Sequence, residues 1–587
     1  MQNFCLRHSQ GLVRFAIVLL FLIGAGAAFA DDSKISPDLK PFLANPNSQI
    51  NVIVQYNTPP SSGQSSAGGL LGGLGGIVGG LVGTVVNLLG GVLHIVFSLI
   101  PALSATLNPS QVVGLSNQSN VAYISLDRQV AGSLDYSTAA VNAPEAWAAG
   151  YDGTGVGIAV IDSGIYNHPD LNAPNSTRSR VVYRQSFIGG KLFDDFGHGT
   201  HVAGIAAGNG SLSNKPGALH VYKGVAPNAN LIDLRVLDVN GMSSDSTVIA
   251  AIQQAVQLKS KYNIRVINLS LGRPIYERCS VDPLCQAVEA AWKSGIVVVT
   301  AAGNLGREGY WTVLSPGNSP HAITVGAMKT EETYPRTDDL IASYSSRGPT
   351  YVDATVKPDV VAPGNLVVSL LAPGSTLVND YPANVIPPST YSTSTAAPGN
   401  AYFRLSGTSM ATPVVSGAAA LMLQKDSSLT PDTVKARIMK TAYKKFPVES
   451  TAQDPTTGQS YTDFYDMFTV GAGYLDIQAA LADYDVAHSP AISPQSLWIP
   501  VLDIATLEAN PSEIWWSSSI WAPPVVWGTS VLVPGPAGNT AIWGSNAGWG
   551  TNAGWGTNAG WGTNAGWGTN AGWGTNAGWG TSTTGEK

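Results

Sequence analysis

The chain runs to 587 residues, too long for one hydrophobic core, so roughly two to four segments of independent character are expected. Only 12% of residues are charged, while Gly (65) and Pro (37) are abundant, which calls for long loops beside a large core. The net charge of −7 comes from scattered acidic and basic residues, so there is no basic footprint and nucleic acid is excluded as an expected partner.

In chain order, Arg7 and Arg14 precede an apolar run from Phe15 to Ile23 and the small-residue site Ala28-Phe29-Ala30. This is a signal-peptide layout for residues 1–30, with cleavage after Ala30 and export to the extracellular side. The alternative, an uncleaved anchor, needs an apolar run of about 20 residues. From Pro41 to Leu126 there is no Asp, Glu, Lys or Arg. Strand-like alternation opens this segment at Ile50–Tyr56 and closes it at Val121–Leu126. Between them, the apolar stretch from Ala67 to Leu103 is long enough to span a membrane. Its paired glycines from Gly68 to Gly80 each cost roughly 1 kcal/mol in a helix, which favours an apolar loop inserted in a small α+β domain over residues 31–135.

From about Ala139 short buried strands alternate with helical stretches. Strands are expected at Val156–Ile161, Leu231–Val236, Arg265–Leu269, Ile296–Thr300 and Ala322–Val325, and helices at Ser244–Lys259, Pro283–Lys293 and Val414–Leu423. The fold class is α/β, a mostly parallel central sheet covered by helices, with its ligand site beyond the carboxyl ends of the strands. The glycine-rich Gly153–Gly157 run precedes its strand instead of following it, so it is no nucleotide loop. Cys5 leaves with the signal segment. Cys279 and Cys285 are then free to pair in an oxidising compartment or to remain two thiols, and two sulfurs with no nearby His make a poor zinc site.

Four motifs stand at strand or helix ends. Asp162 follows the first buried strand, and by itself it reads as a turn cap. His198 opens His198-Gly199-Thr200-His201-Val202-Ala203-Gly204, where small residues let a helix start pack beside an imidazole; without an accompanying Glu, the two histidines do not form a zinc-protease helix. Asn304, in Ala301-Ala302-Gly303-Asn304, offers an uncharged amide donor. Ser409, in Gly407-Thr408-Ser409-Met410-Ala411-Thr412-Pro413, sits where a loop enters a helix and alone would read as an N-cap. Together they fit acyl transfer: a serine needs an imidazole to accept its proton, the imidazole needs a carboxylate to fix its tautomer, and the oxyanion needs donors.

At these residues the chain resembles the subtilase family of serine proteases, in which the order Asp, His, Ser recurs. The resemblance runs from about Ala139 to Ala482 and includes Asn268–Gly272, Ser345–Pro349, Lys357–Gly364 and Gly471–Asp476. It implies that Asp162 orients His198, that His198 is general base and then acid, that Ser409 attacks the scissile carbonyl, and that Asn304 stabilises the oxyanion. His201 and His168 should be structural. Protein or peptide substrates would lie as an added strand against Ser270-Leu271-Gly272, with the opposite wall at Gly241–Ser243. Many relatives have glycine where Leu314 stands, so Leu314 should narrow the primary pocket. Structural calcium is left open, because Asn209–Lys223 lacks a ligand-rich run. Residues 31–135 fit an inhibitory propeptide that makes the enzyme a self-processed zymogen, with the peptidase domain at 136–485.

Residues 486–587 form a Trp-rich extension. From Trp543 to Trp579 a unit Trp-Gly-Thr-Asn-Ala-Gly repeats, and twelve of the fifteen tryptophans lie beyond Leu497. An even period puts every Trp on one strand face, an aromatic ladder for polysaccharide or cell surface, or else the repeats at 543–581 are a low-complexity tail. Three function classes are thus in view: a secreted serine endopeptidase, a surface-adhesion protein using the repeats, and an acid-acting relative with a carboxylate base, which His198 and Asn304 disfavour.

Overall fold

The computed structural model describes residues 31–57, 92–127, 138–392, 399–499, 504–507 and 530–532, apart from positions 38, 47, 98–99, 191, 455–456 and 488. The leader at 1–30, the glycine-rich Gly68–Gly80 run and the repeats at 543–581 lie outside the described residues, as does the segment 128–137. Two compact units emerge, one from residues up to Val96 with Pro101–Asp127, the other from Phe97–Ile100 and Arg128 onward.

The first unit holds a four-stranded antiparallel sheet of β1 (Ile50–Tyr56), β2 (Val92–Val96), β3 (Ala102–Leu107) and β4 (Val121–Leu126) in the order β2-β3-β1-β4. Two of these strands are those read from alternation. The helix Pro109–Ser116 starts at a capping box, Asn108 accepting from Gln111 N while the Gln111 side chain accepts from Asn108 N. Val112 and Leu115 of this helix join Val52, Val54, Leu103, Leu107 and Ile124 in one apolar core. Among the described residues no helix is long and apolar enough to cross a membrane.

The second unit is built on an eight-stranded sheet. Its strands are β5 (Gly157–Asp162), β6 (Val181–Ser186), β7 (Asn230–Arg235), β8 (Ile264–Leu269), β9 (Val297–Ala301), β10 (Ile323–Lys329), β11 (Leu340–Ile341) and β12 (Val360–Pro363). The order is β11-β10-β9-β8-β5-β7-β6, with β12 beside β10, and every pairing is parallel except β10 with β11. Helices cover it: Thr408–Lys425 packs with His198–Ala207, and Asp245–Tyr262 packs with Pro283–Lys293. Strand order reverses at β5, flanked by β8 and β7, so a crevice is expected at the carboxyl ends of these strands.

Three boundaries differ from the sequence reading. β5 extends one residue further and includes Asp162, because its ladder with β7 runs on to the Asp162–Arg235 pair. The last core helix begins at Thr408, not Val414. Pro413 lies inside it, tolerated because the carbonyl it strands is satisfied from elsewhere, as described below. Finally, residues 490–499 pack on the second unit beyond the boundary expected at 485: Ser493 N donates to Pro320 O at 2.8 Å, Ser496 N donates to Ala354 O at 2.8 Å, and the rings of Trp498 and Trp311 meet edge to face at 5.8 Å.

Candidate active site

Asp162 ends β5, Ser270 follows β8 and Asn304 follows β9, so the parallel sheet delivers all three to one edge. His198 is the first residue of the His198–Ala207 helix and Ser409 the second of Thr408–Lys425. Asp162, His198 and Ser409 are at most 1% exposed. The imidazole Nδ1 lies 2.7 Å from Asp162 Oδ1, and Ser163 N donates to the same oxygen at 2.7 Å. This contact fixes the tautomer with hydrogen on Nδ1 and leaves Nε2 as the acceptor. Nε2 is buried and makes no hydrogen bond among the described residues. Gly199 makes the approach of helix to strand possible: a Cβ there would lie 2.3 Å from Gly164 O and 3.1 Å from Asp162 Cβ.

Ser409 Oγ donates to Ser270 O at 3.1 Å, and Ser270 Oγ donates to Ser409 O at 2.7 Å. The second bond has a covalent cause. In an α-helix Ser409 O would accept from the amide of residue 413, but Pro413 has no N–H. Ser270 supplies the missing donor and is itself held: Asn268 Nδ2 donates to Ser270 Oγ at 3.0 Å, and Ser416 Oγ donates to Asn268 Oδ1 at 2.8 Å. Asn304 Oδ1 accepts from Thr408 N at 2.9 Å and Thr408 Oγ1 at 3.1 Å, which orients the amide and makes Nδ2 its donor end beside the first turn of the Ser409 helix.

The sequence reading missed Asp194. Fully buried, it accepts from Gly197 N (2.7 Å), Thr200 N (2.8 Å), Thr200 Oγ1 (2.5 Å) and Ser163 Oγ (2.8 Å). It therefore caps the helix that carries His198 and ties it to the residue after Asp162. Burial raises its carboxyl pKa, and the four donors oppose that rise. An acid four residues before His198, ahead of Gly197, was the available signal. His201 and His168 are structural in their contacts. His201 Nε2 meets Phe403 O at 2.9 Å and His168 Nε2 meets Ala401 O at 3.0 Å, and burial lowers both imidazoles below their ordinary range.

Residues 153–473 match the family model of the subtilases, Peptidase S8, over more than half of the chain. The chain belongs to this family. It is a serine-type endopeptidase of the subtilisin class. AprX, a serine protease of Bacillus subtilis (strain 168), is 39% identical over 349 residues, covering 58% of this chain and 73% of that protein. Subtilisin E of the same organism is 34% identical over 392 residues, covering 65% and 81%. An alkaline protease of Alkalihalobacillus alcalophilus is 36% identical over 351 residues, covering 59% and 75%.

In this subtilase Ser270, Leu271 and Gly272 run on from β8 beside the Ser409 helix, all buried. Leu314 is 3% exposed, and its side chain lies against Gly303, where a Cβ would come within 2.6 Å of Leu314 Cδ1. Leu314 is thus one residue removed from Asn304. Cys279 and Cys285 are joined as a disulfide, their Cα atoms 5.3 Å apart. The carbonyl cradle at the end of the His198 helix is filled by an arginine. The carbonyls of Asp170, Asn172, Ala207 and Ala229, drawn from three segments, all accept from the buried Arg180 guanidinium at 2.6–3.1 Å. The Asp170 carboxylate is likewise engaged, by Ser211 Oγ, Leu212 N and Tyr402 OH. An arginine already serves as the cation for this cradle. Among the described residues no three His, Cys, Asp or Glu side chains gather as metal ligands.

Proposed function

We propose that this subtilase is a secreted endopeptidase, made as a self-processed zymogen, that cuts peptide bonds through Asp162, His198 and Ser409. The observation that carries the reading is the 2.7 Å contact of His198 Nδ1 with Asp162 at the sheet edge to which the Ser409 helix is tied. The Ser409 hydroxyl turns from Ser270 O toward His198 Nε2, which takes its proton as Oγ bonds to the scissile carbonyl carbon. Asp162 stabilises the resulting imidazolium. The carbonyl oxygen becomes an oxyanion that accepts from Asn304 Nδ2 and from Ser409 N at the helix start. Collapse breaks the C–N bond as His198 returns the proton to the leaving amine. Water, deprotonated by the same imidazole, then hydrolyses the acyl-enzyme.

Substrate would bind as a strand between Ser270–Gly272 and Gly241–Ser243, with Leu314 shortening the primary pocket. The first unit, with its own core, would be the inhibitory propeptide, and cleavage would fall between Arg128 and Thr138. The test is labelling with a serine-reactive fluorophosphonate followed by peptide mapping. The adduct should sit on Ser409 and disappear when His198→Ala removes the base; labelling of another serine would refute the assignment.

A further inference from the structure

We propose that Arg273 is the positioning residue of the peptide cleft, a buried guanidinium held by Asp245 and Asp282 that sets the spacing of the three segments meeting the substrate. This rests on the cleft assignment above. Arg273 follows Gly272 directly, Asp245 opens the helix just after Gly241–Ser243, and Ser315 follows Leu314. All four of Arg273, Asp245, Asp282 and Ser315 are fully buried. The guanidinium Nε donates to Asp245 Oδ1 at 3.1 Å and Oδ2 at 3.2 Å; Nη2 donates to Asp245 Oδ2 at 3.1 Å and to Asp282 Oδ1 at 2.8 Å. Nη1 donates to Pro274 O at 3.0 Å. Asp282 Oδ2 accepts from Ser315 Oγ at 2.9 Å, while Arg273 and Ser315 exchange both backbone hydrogen bonds at 2.8 Å. One cation therefore joins one wall, the opposite wall and the pocket floor.

Apolar packing would fill this space with no desolvation cost, so the buried ion cluster adds little stability that hydrophobic residues could not supply. What it adds is direction: the backbone pair of Arg273 with Ser315 registers one wall against the pocket floor, and the planar fork fixes the Asp245 and Asp282 segments against that pair. Asp282 is anchored in turn. It caps Pro283–Lys293 through Leu284 N at 2.9 Å, and the Cys279–Cys285 disulfide closes a loop around it. The disulfide thus restrains the carboxylate that links the pocket floor to Arg273.

The experiment compares an extended peptide anilide with a single-residue ester, using Asp282→Asn in the full-length secreted chain. Asn keeps the shape, the helix cap and an acceptor, but it makes the charge-assisted bond neutral. KM for the extended peptide should rise roughly tenfold, with kcat and ester hydrolysis nearly unchanged. The Cys279→Ser, Cys285→Ser pair should move KM the same way by less. A folded Asp282→Asn enzyme with the original KM, or one that loses kcat at constant KM, overturns the inference. Should Asp282→Asn fail to fold, Ser315→Ala, which removes a single hydroxyl, must still raise KM; an unchanged value overturns the inference equally. Fluorophosphonate labelling of Ser409 separates the two levels: no labelling in the wild type refutes the site reading and this inference with it, whereas labelling with unmoved KM refutes the inference alone.

Discussion

Removing the Ser270 hydroxyl probes the most specific feature of the site. Pro413 deprives Ser409 O of its helical donor, and Ser270 Oγ replaces it at 2.7 Å in a fully buried setting. Ser270→Ala therefore leaves the carbonyl of the nucleophile without that donor. Such a loss costs about 1–3 kcal/mol, which the first helical turn relieves by shifting and carrying Ser409 Oγ away from its line of attack. If that cost reappears when the turn is forced back for reaction, kcat falls roughly 5–150-fold. KM should hold, because the backbone of Ser270–Gly272 is intact. The decisive variant is Ser270→Ala with Pro413→Ala, since replacing the proline restores a backbone N–H in the i→i−4 position to the same oxygen. Steady-state kinetics on a peptide anilide, with the acylation burst measured separately, should show the double variant faster than Ser270→Ala alone. A double variant no faster than the single, or a single variant with wild-type kcat, would sink the argument.

Three further outcomes follow from the geometry. Burial keeps His201 neutral in the folded state, while the unfolded chain protonates it below about pH 6.5, so the unfolded state binds more protons on the acid side and stability is lost as pH falls below that value. His201 alone should withdraw up to ~1.4 kcal/mol per pH unit there. Burial raises Asp233 to about 7, which works in the opposite sense below neutrality, so the quantity to measure is the stability of wild type minus His201→Gln; a difference independent of pH would contradict the account. Arg180→Met strands four carbonyls in three segments and should destabilise the peptidase unit by about 3 kcal/mol or more, measured by urea unfolding, with no recovery on adding calcium; restoration by calcium would mean the cradle does take a metal. Leu314→Gly should gain cleavage after Phe and Leu in a peptide library, and an unchanged profile would remove Leu314 from the pocket.

Much of the peptidase unit was legible because its central strands are buried on both faces and therefore read as continuous apolar runs; Ile158–Ile161 and Val297–Val299 are almost wholly inaccessible. The residues at the ends of those runs stood out because polar groups there interrupt apolar sequence. The helix start at Thr408 was not legible, since Pro413 reads locally as a helix breaker and its compensation comes from Ser270, remote in sequence. Asp194 was hidden for a similar reason: two of its four donors are backbone amides that composition does not reveal, and Ser163 is remote in sequence. Nothing in the local sequence marks Arg273, and only the fold brings Asp245 and Asp282 to it. The packing of Ser493 and Trp498 on the peptidase unit was obscured by the Trp-rich composition around them.

The most direct test of the catalytic account is Ser409→Ala, made in the full-length chain, produced in a protease-deficient host and assayed after purification. Packing at this position changes little, so the variant should fold, begin at Asp31 after export and keep residues 31–135 attached. Its peptidase activity should fall ~10⁶-fold, the magnitude known for the serine of subtilisin itself. Peptidase activity within tenfold of wild type in the purified variant would contradict the assignment of Ser409 as nucleophile. Maturation at the wild-type site and rate in that host would contradict self-processing.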